Sequence, residues 1–114
     1  MRGSRYANRK SKYNAVKTEV DGIVFDSKAE AKRYGELRLL LMADEIRQIE
    51  LQPKFPCHVN GDLICTYVAD FKYRDQRTGE RVIEDVKGMK TPVYKLKKKL
   101  VEALYALEIV EITK

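Results

Sequence analysis

The sequence has few of the residues on which several common kinds of catalytic site depend. Its 114 residues include one histidine, His58, two cysteines and no tryptophan. A single histidine disfavours Ser-His-Asp and Cys-His catalytic sites. No GxxxxGK[ST] or GxGxxG stretch occurs, so the sequence gives no support to nucleotide hydrolysis or dinucleotide redox chemistry.

The two cysteines, Cys57 and Cys65, flank the dipeptide Asn60-Gly61, with His58 beside them. Three such ligands are one fewer than a structural zinc site usually has, so zinc is the less favoured alternative. We interpret both cysteines as reduced, half-buried strand residues, as expected without a secretory signal.

Long hydrophobic runs are also missing. No apolar run approaches the roughly 18 residues of a membrane span, and the first residues lack the pattern of a signal peptide. We therefore expect a cytoplasmic protein with no membrane partner. The length predicts a single domain over residues 18–114, preceded by a flexible basic arm over residues 1–17.

Positive charge is in excess, with a net charge of +6. Lysine and arginine release the counterions condensed on phosphates, so this excess favours a polyanionic partner. Residues 1–18 and residues 87–100 each hold six basic residues and no acid. Each block alone is equally well explained as solvated surface. The candidate phosphate contacts are Arg5, Arg9, Lys10, Lys12, Lys90, Lys95, Lys97, Lys98 and Lys99.

Local patterns predict a mixture of strands and helices. Asp21-Gly22 and Asn60-Gly61 stand between β-favouring residues and predict two hairpins. Ser27 to Glu30 form a capping box, and Thr91-Pro92 provides an N-cap followed by proline, so each site predicts a helix start. The predicted helices cover residues 27–43 and 92–106, and the main strands cover residues 46–52, 63–73, 82–87 and 108–113.

The helical periodicity predicts which sides of the two helices are packed. Glu30 shares a face with Tyr34, Leu37 and Leu41, at the end of the stripe that we expect to pack on the sheet. Glu30 then either caps the helix or reaches toward the acids of the sheet. In the second helix we expect one apolar face opposite a lysine-rich one. The apolar face comprises Val93, Leu96, Leu100, Ala103, Leu104 and Leu107.

Acidic residues occur at two points of the predicted sheet. Asp70 lies in the strand 63–73, among apolar residues on both sides, and it needs a partner there. Alternation along the strand 82–87 places Asp85 and Lys87 on one face, about 7 Å apart. If the two strands pair, Asp70 comes near Asp85, although the sequence does not fix the register.

These residues have the chemistry of a metal-dependent nuclease site. Asp70, Asp85 and the carbonyl of Val86 form an incomplete oxygen shell of the kind that Mg²⁺ or Mn²⁺ takes, with Glu30 as a further ligand. Such an ion neutralises a phosphodiester, and Lys87 would orient or deprotonate the attacking water or stabilise charge. The alternative is an ion-pair cluster in which Lys87 neutralises both aspartates.

With these residues in place, the chain resembles the PD-(D/E)xK phosphodiesterase superfamily, which includes type II restriction enzymes and archaeal-type Holliday-junction resolvases. The resemblance covers about residues 18–114 and implies an α/β, restriction-endonuclease-like fold. That fold has an α-β-β-β-α-β core, with a central mixed sheet flanked by helices. Four segments also resemble small nuclease-like proteins encoded by phages and prophages: VDGIVFDSKAEAKRYGEL, LQPKF, YVADFKY and VIEDVKG.

The resemblance assigns roles position by position. The family's helix glutamate corresponds to Glu30, its first strand acid to Asp70, and its (D/E)xK to Asp85-Val86-Lys87. Gln52 falls where some relatives have a glutamine near the active site, or else it simply ends a strand through ordinary hydrogen bonding. Ala69 replaces the family's proline, which is not a metal ligand. Glu84 precedes Asp85, and alternation with Lys87 favours Asp85 as the acid that serves.

The resemblance further implies a Mg²⁺- or Mn²⁺-dependent DNA endonuclease that leaves a 5′-phosphate and acts in phage DNA recombination or processing, with a selectivity like that of Holliday-junction resolvases. Its expected partners are DNA, a second copy of the chain, and phage recombination or replication proteins, in the cytoplasm of a bacterial host. Two alternatives are a non-catalytic nucleic-acid-binding module on the same fold and a protein-binding accessory factor.

Overall fold

A computed structural model of the chain describes residues 17–113. The predicted arm, with Arg5, Arg9, Lys10 and Lys12, lies outside the described residues except for Lys17. Two helices and eight strands follow one another in residues 17–113: β1 (Thr18–Val20), β2 (Ile23–Phe25), α1 (Lys28–Met42), β3 (Ile46–Leu51), β4 (Lys54–Val59), β5 (Asp62–Val68), β6 (Phe71–Asp75), β7 (Arg81–Lys87), α2 (Pro92–Tyr105) and β8 (Ile109–Thr113).

The fold is mixed α/β, as the sequence predicted. The chain divides into two compact units, of which the first ends at Leu39 and the second begins at Leu40. Between residues 17 and 113, neither helix has the length and hydropathy that a membrane-spanning helix requires.

The first unit contains the hairpin β1–β2 and most of α1. Asp21 and Gly22 both have positive φ, 54° and 77°, as a two-residue hairpin turn requires, so the predicted hairpin is confirmed. The Ser27 hydroxyl accepts a hydrogen bond from the backbone N–H of Glu30 at 3.2 Å, which caps the helix as the sequence predicted. Tyr34 is buried on α1, with its ring centroid 5.0 Å from that of Phe25.

The second unit contains a four-stranded mixed sheet with the order β3-β6-β7-β8. The β3–β6 and β6–β7 pairs are antiparallel, whereas β7 and β8 run parallel. Strands therefore flank β7 on both edges, and its residues Ile83 to Val86 are all buried. β7 thus holds the charged side chains of Glu84 and Asp85 away from water.

The structure corrects the predicted strand 63–73, which is two strands interrupted at Ala69-Asp70. Among the described strands β5 pairs with β4 alone, in a hairpin whose turn residues Asn60 and Gly61 have φ of 51° and 87°. β6 belongs to the four-stranded sheet. The chain changes partners at the break. Ala69 N–H donates to the Pro53 carbonyl at 3.1 Å, and Asp70 N–H donates to the Glu84 carbonyl at 3.0 Å.

One hydrophobic cluster joins the β4–β5 hairpin, the sheet and α2. Its buried members are Phe55, Cys57, Tyr67, Ala69, Ile83, Val101 and Ile109. Cys57 and Cys65 are cross-strand neighbours with free thiols, and Cys65 is half-buried as predicted, whereas Cys57 is fully buried. Burial raises the pKa of Cys57, so its thiol stays protonated at neutral pH.

The predicted packed face of α2 is partly wrong. Leu100 and Leu107 pack against the cluster, but Val93, Leu96 and Leu104 are exposed. The face turned inward instead carries Tyr94, the buried Val101 and, half-buried, Lys97 and Lys98. The aliphatic stem of a lysine can cover apolar surface while its ammonium reaches water. A helix face that contains lysines can therefore pack against the core, which a prediction based on apolar residues alone misses.

Ile83→Ala should destabilise the protein by about 2–5 kcal/mol, because it leaves a cavity in the cluster around a side chain that is 1% exposed. Ile64→Ala makes the same chemical change at a position that is 59% exposed, and should cost less than about 1 kcal/mol. Urea unfolding midpoints of the two variants test this. Equal losses would contradict the assignment of the core.

Candidate active site

The centre of the candidate site is the end of β7, where two consecutive acids are buried. Glu84 and Asp85 are each 1% exposed. Asp85 accepts a hydrogen bond from the Tyr67 hydroxyl through Oδ2, and Lys87 Nζ lies 3.2 Å from its Oδ1. Asp85 and Lys87 therefore project from the same face, as strand alternation predicted, and the buried carboxylate has both a donor and a counter-charge.

Asp70 lies at the interruption between β5 and β6, and its carboxylate is anchored on β7. Its Oδ2 accepts a hydrogen bond from the backbone N–H of Val86 at 2.7 Å. The side chain thus takes the position that a backbone carbonyl would occupy if β6 continued along β7. The expected partner of Asp70 is this amide, and the contact places the Asp70 carboxylate against the residue between Asp85 and Lys87.

Gln52 lies beside Asp70 through its backbone. Its N–H donates to the Asp70 carbonyl at 2.9 Å, and its φ of 51° turns the chain at the end of β3. Strand-end hydrogen bonding, one of the two alternatives for Gln52, is therefore present. A role of its side chain in the site stays a prediction.

Glu84 projects to the opposite face of β7 from Asp85. Its Oε2 accepts a hydrogen bond from the Tyr73 hydroxyl. Tyr73 pairs with Val82 across the β6–β7 ladder, two residues from Glu84, so the two side chains share a face. The acid that accompanies Lys87 is Asp85, as the alternation favoured.

Three further residues that the sequence did not single out surround the Asp85–Lys87 pair: Tyr67, Tyr94 and Glu111. Lys87 Nζ lies 4.5 Å from the ring centroid of Tyr94, a cation–π contact. The Tyr94 hydroxyl donates to Glu111 Oε2 at 2.8 Å, and Glu111 pairs with Asp85 across the parallel β7–β8 ladder. The seven-residue spacing of Tyr94 and Val101 was the available signal, but a stripe of apolar residues suggested another face.

The electrostatics keep both tyrosines as hydrogen-bond donors. Burial, followed by the hydrogen bond to Asp85, raises the pKa of Tyr67. Burial, followed by the hydrogen bond to Glu111, raises the pKa of Tyr94. The hydrogen bond from Tyr94, followed by the one from Lys90, lowers the pKa of Glu111. Tyr67 and Tyr94 therefore stay protonated and donate to Asp85 and Glu111.

The predicted phosphate contacts occupy different environments. Lys90 Nζ lies 3.1 Å from Glu111, and Lys98 Nζ lies 3.2 Å from Glu102 on the next turn of α2. Lys95 and Lys99 are exposed on the outer side of the helix. Lys97 is half-buried and lines the same cleft as Asp85 and Lys87. Lys97 is thus the helix lysine that the fold brings to the candidate site.

Asp70, Asp85 and the Val86 carbonyl have donor chemistry that fits Mg²⁺ or Mn²⁺. These hard cations prefer oxygen, and Mg²⁺ is commonly held by one or two carboxylates with waters and substrate phosphates. Asp85 accepts two of the roughly four hydrogen bonds that an ionised carboxylate can accept, so its oxygens can also face a cation. Within residues 17–113, no three His, Cys, Asp or Glu side chains form a metal-binding group. Glu30 lies in the first unit, and its role as a ligand stays a prediction.

A family model described as a protein of unknown function, DUF1064, matches residues 10–113. The chain belongs to the DUF1064 family. No curated protein and no solved structure matches the chain. The DUF1064 description names no activity.

The lowered pKa of Glu111 predicts an acid-sensitive contribution to stability. A carboxyl whose pKa is lower in the folded than in the unfolded chain stabilises the fold above its unfolded value, and this is lost as the pH falls through the folded pKa. Wild-type stability should therefore fall as the pH drops below about 4.5, the ordinary pKa of a glutamate carboxyl. Glu111→Gln should show a shallower fall in urea unfolding.

Tyr94→Phe removes the first cause of the shift and should flatten the same part of the pH profile. Profiles of both variants that run parallel to that of the wild-type protein would contradict the assigned contact between Tyr94 and Glu111.

Proposed function

We propose that this protein is a Mg²⁺- or Mn²⁺-dependent DNA endonuclease with a restriction-endonuclease-like fold. The observation that carries the proposal is the contact of the Asp70 carboxylate with the Val86 amide, beside the Asp85–Lys87 pair. It places a carboxylate from the break between β5 and β6 against the strand that carries Asp85, the Val86 carbonyl and Lys87, which are groups suited to metal-assisted phosphodiester hydrolysis.

The proposed reaction is hydrolysis. A water oxygen attacks the phosphorus and the bond from phosphorus to the 3′-oxygen breaks, leaving a 5′-phosphate and a 3′-hydroxyl. The water loses a proton and the departing 3′-oxygen takes one up, so only water is consumed. The phosphodiester is an anion that repels the attacking oxygen, and the protein has to offset that charge.

Asp70, Asp85 and the Val86 carbonyl would hold the metal ion, which when bound supplies positive charge and acidifies a coordinated water. Lys87 would orient the attacking water and stabilise the charge that develops on the phosphate. The Tyr94 ring and the Asp85 carboxylate both contact its ammonium. The Tyr67 hydroxyl donates a hydrogen bond to the Asp85 carboxylate, so the groups proposed to act on the phosphate are preorganised.

The proposed substrate is DNA because the basic excess favours a polyanion and one lysine of α2 lines the cleft that holds Asp85. Lys97 lines the cleft of Asp85, and Lys95 and Lys99 are exposed on the same helix. Phosphate contacts of this kind position a strand without reading its sequence. The order of α1, β3, β6, β7, α2 and β8 along the chain is compatible with the α-β-β-β-α-β core. Action as a homodimer on phage recombination intermediates is part of the same proposal.

A second function, non-catalytic nucleic-acid binding, is favoured by one observation. Lys87 and Tyr67 already contact one Asp85 oxygen each, so the charge of Asp85 can be balanced by Lys87 without a metal ion. The two functions differ in metal-dependent cleavage, which only the first requires.

A cleavage assay distinguishes them. Labelled linear duplex, single-stranded, flap and four-way-junction DNAs are incubated with wild-type protein in Mg²⁺, Mn²⁺ or EDTA. We expect metal-dependent cutting of at least one substrate, and a loss of about 10²–10⁴-fold in rate for Lys87→Ala, the range of a positioned group acting on the reacting atoms.

Lys72→Ala is the matched control. Lys72 is also an ion-paired lysine of the sheet, 3.7 Å from Glu50, and its side chain is 33% exposed against 29% for Lys87. It should cut like the wild-type protein. Absence of cutting in either metal, with DNA binding intact, would establish the binding module instead. Equal rates for Lys87→Ala and the wild type would remove Lys87 from the mechanism.

A further inference from the structure

A cleft lies between the end of β5 and the start of α2, with Asp85 and Lys87 among its lining residues. Its volume is about 350 Å³. This is near the lower end of the roughly 300–1,000 Å³ of small-molecule sites. A space of this size can admit one nucleotide unit but not a base pair held within a duplex.

Asp85 can be approached only as far as its burial allows. Its side chain is 2% exposed, whereas the Lys87 side chain beside it is 29% exposed. A phosphate on the outside of a straight duplex would meet the rim of the cleft and not this carboxylate. A DNA strand can reach Asp85 only if one of its nucleotides enters the cleft. The unpairing and unstacking energy of this step is smallest where that nucleotide is already unpaired.

The lining has two kinds of surface. Lys87 and Lys97 supply positive charge for a phosphate. Val68 and Val93 approach the cleft from the strand and the helix, and they are 45% and 63% exposed. Backbone phosphates of a duplex present charged, hydrated groups and gain nothing from exposed valines. An unpaired nucleotide also presents the apolar faces of its base and sugar.

We infer that the site acts on DNA whose nucleotide at the cut is unpaired, with the phosphate against Lys87 and Lys97 and the base or sugar between Val68 and Val93. This rests on the proposed nuclease function and narrows its substrate to single strands, flaps or other DNA with unpaired nucleotides.

The test is fluorescence anisotropy in EDTA, where no cutting occurs, with a labelled single-stranded oligonucleotide and the fully paired duplex of the same sequence. We expect the wild-type protein to bind the single strand at least about tenfold more tightly at equal salt. Val93→Ser should weaken binding of the single strand about fivefold to tenfold, because it removes an apolar contact, and leave duplex binding unchanged.

Leu96→Ser is the matched control, since Leu96 is an exposed apolar residue one turn further along α2 and does not line the cleft. It should bind both DNAs like the wild-type protein. Equal wild-type affinity for duplex and single strand, or equal effects of the two serine variants, would overturn the inference.

Mapping the cut in Mg²⁺ or Mn²⁺ separates this inference from the proposed function. Cutting confined to unpaired positions supports both. Cutting within fully paired duplex overturns the inference and leaves the nuclease. Preference for single strands without any cutting overturns the nuclease and leaves the cleft as a binding site for unpaired DNA.

Discussion

The hydrogen bond from the Val86 amide to the Asp70 carboxylate is the contact on which the candidate site depends. The β6–β7 pairing ends at Glu84 of β7. The next N–H of β7 that points toward β6 is that of Val86, and without the Asp70 side chain it would lack an acceptor. A carboxylate accepts this bond with a net value of about 1.5–3 kcal/mol, more than a neutral acceptor gives. At the break after β5, the Asp70 side chain therefore replaces a backbone carbonyl as the acceptor of this hydrogen bond, and its carboxylate lies beside β7 at the candidate site.

Burial of two consecutive acids constrains β7 further. Glu84 and Asp85 lie on opposite faces, and a tyrosine hydroxyl donates to each. Such burial gives little stability, because desolvation of the charge offsets much of the attraction to its partners. A hydrophobic strand would serve a purely structural role at less cost. The retained charges, together with the lysine held over Tyr94, are consistent with a site that has to receive a phosphate and a cation.

Much of the local structure could be predicted because it is decided by neighbouring residues. Backbone conformation determines the turns at Asp21-Gly22 and Asn60-Gly61. Local hydrogen bonding determines the helix caps Ser27 and Thr91. Strand alternation determines the shared face of Asp85 and Lys87.

The wrong predictions concern features that depend on long-range contacts. The predicted strand 63–73 breaks where its pairing partner changes. The inward face of α2 is determined by the packing of Tyr94 and Val101 on the hydrophobic cluster. The tyrosines around the acids are distant from them in sequence, and the only periodic signal among them was the seven-residue spacing of Tyr94 and Val101. We propose that Asp70 and Asp85 hold a divalent ion, and titration calorimetry with Mn²⁺ tests this most directly. We expect one ion per wild-type chain, none for folded Asp70→Asn or Asp85→Asn, and unchanged binding for Glu84→Gln, whose side chain lies on the opposite face of β7. Absence of binding by the wild-type protein, or its loss only in Glu84→Gln, would contradict it.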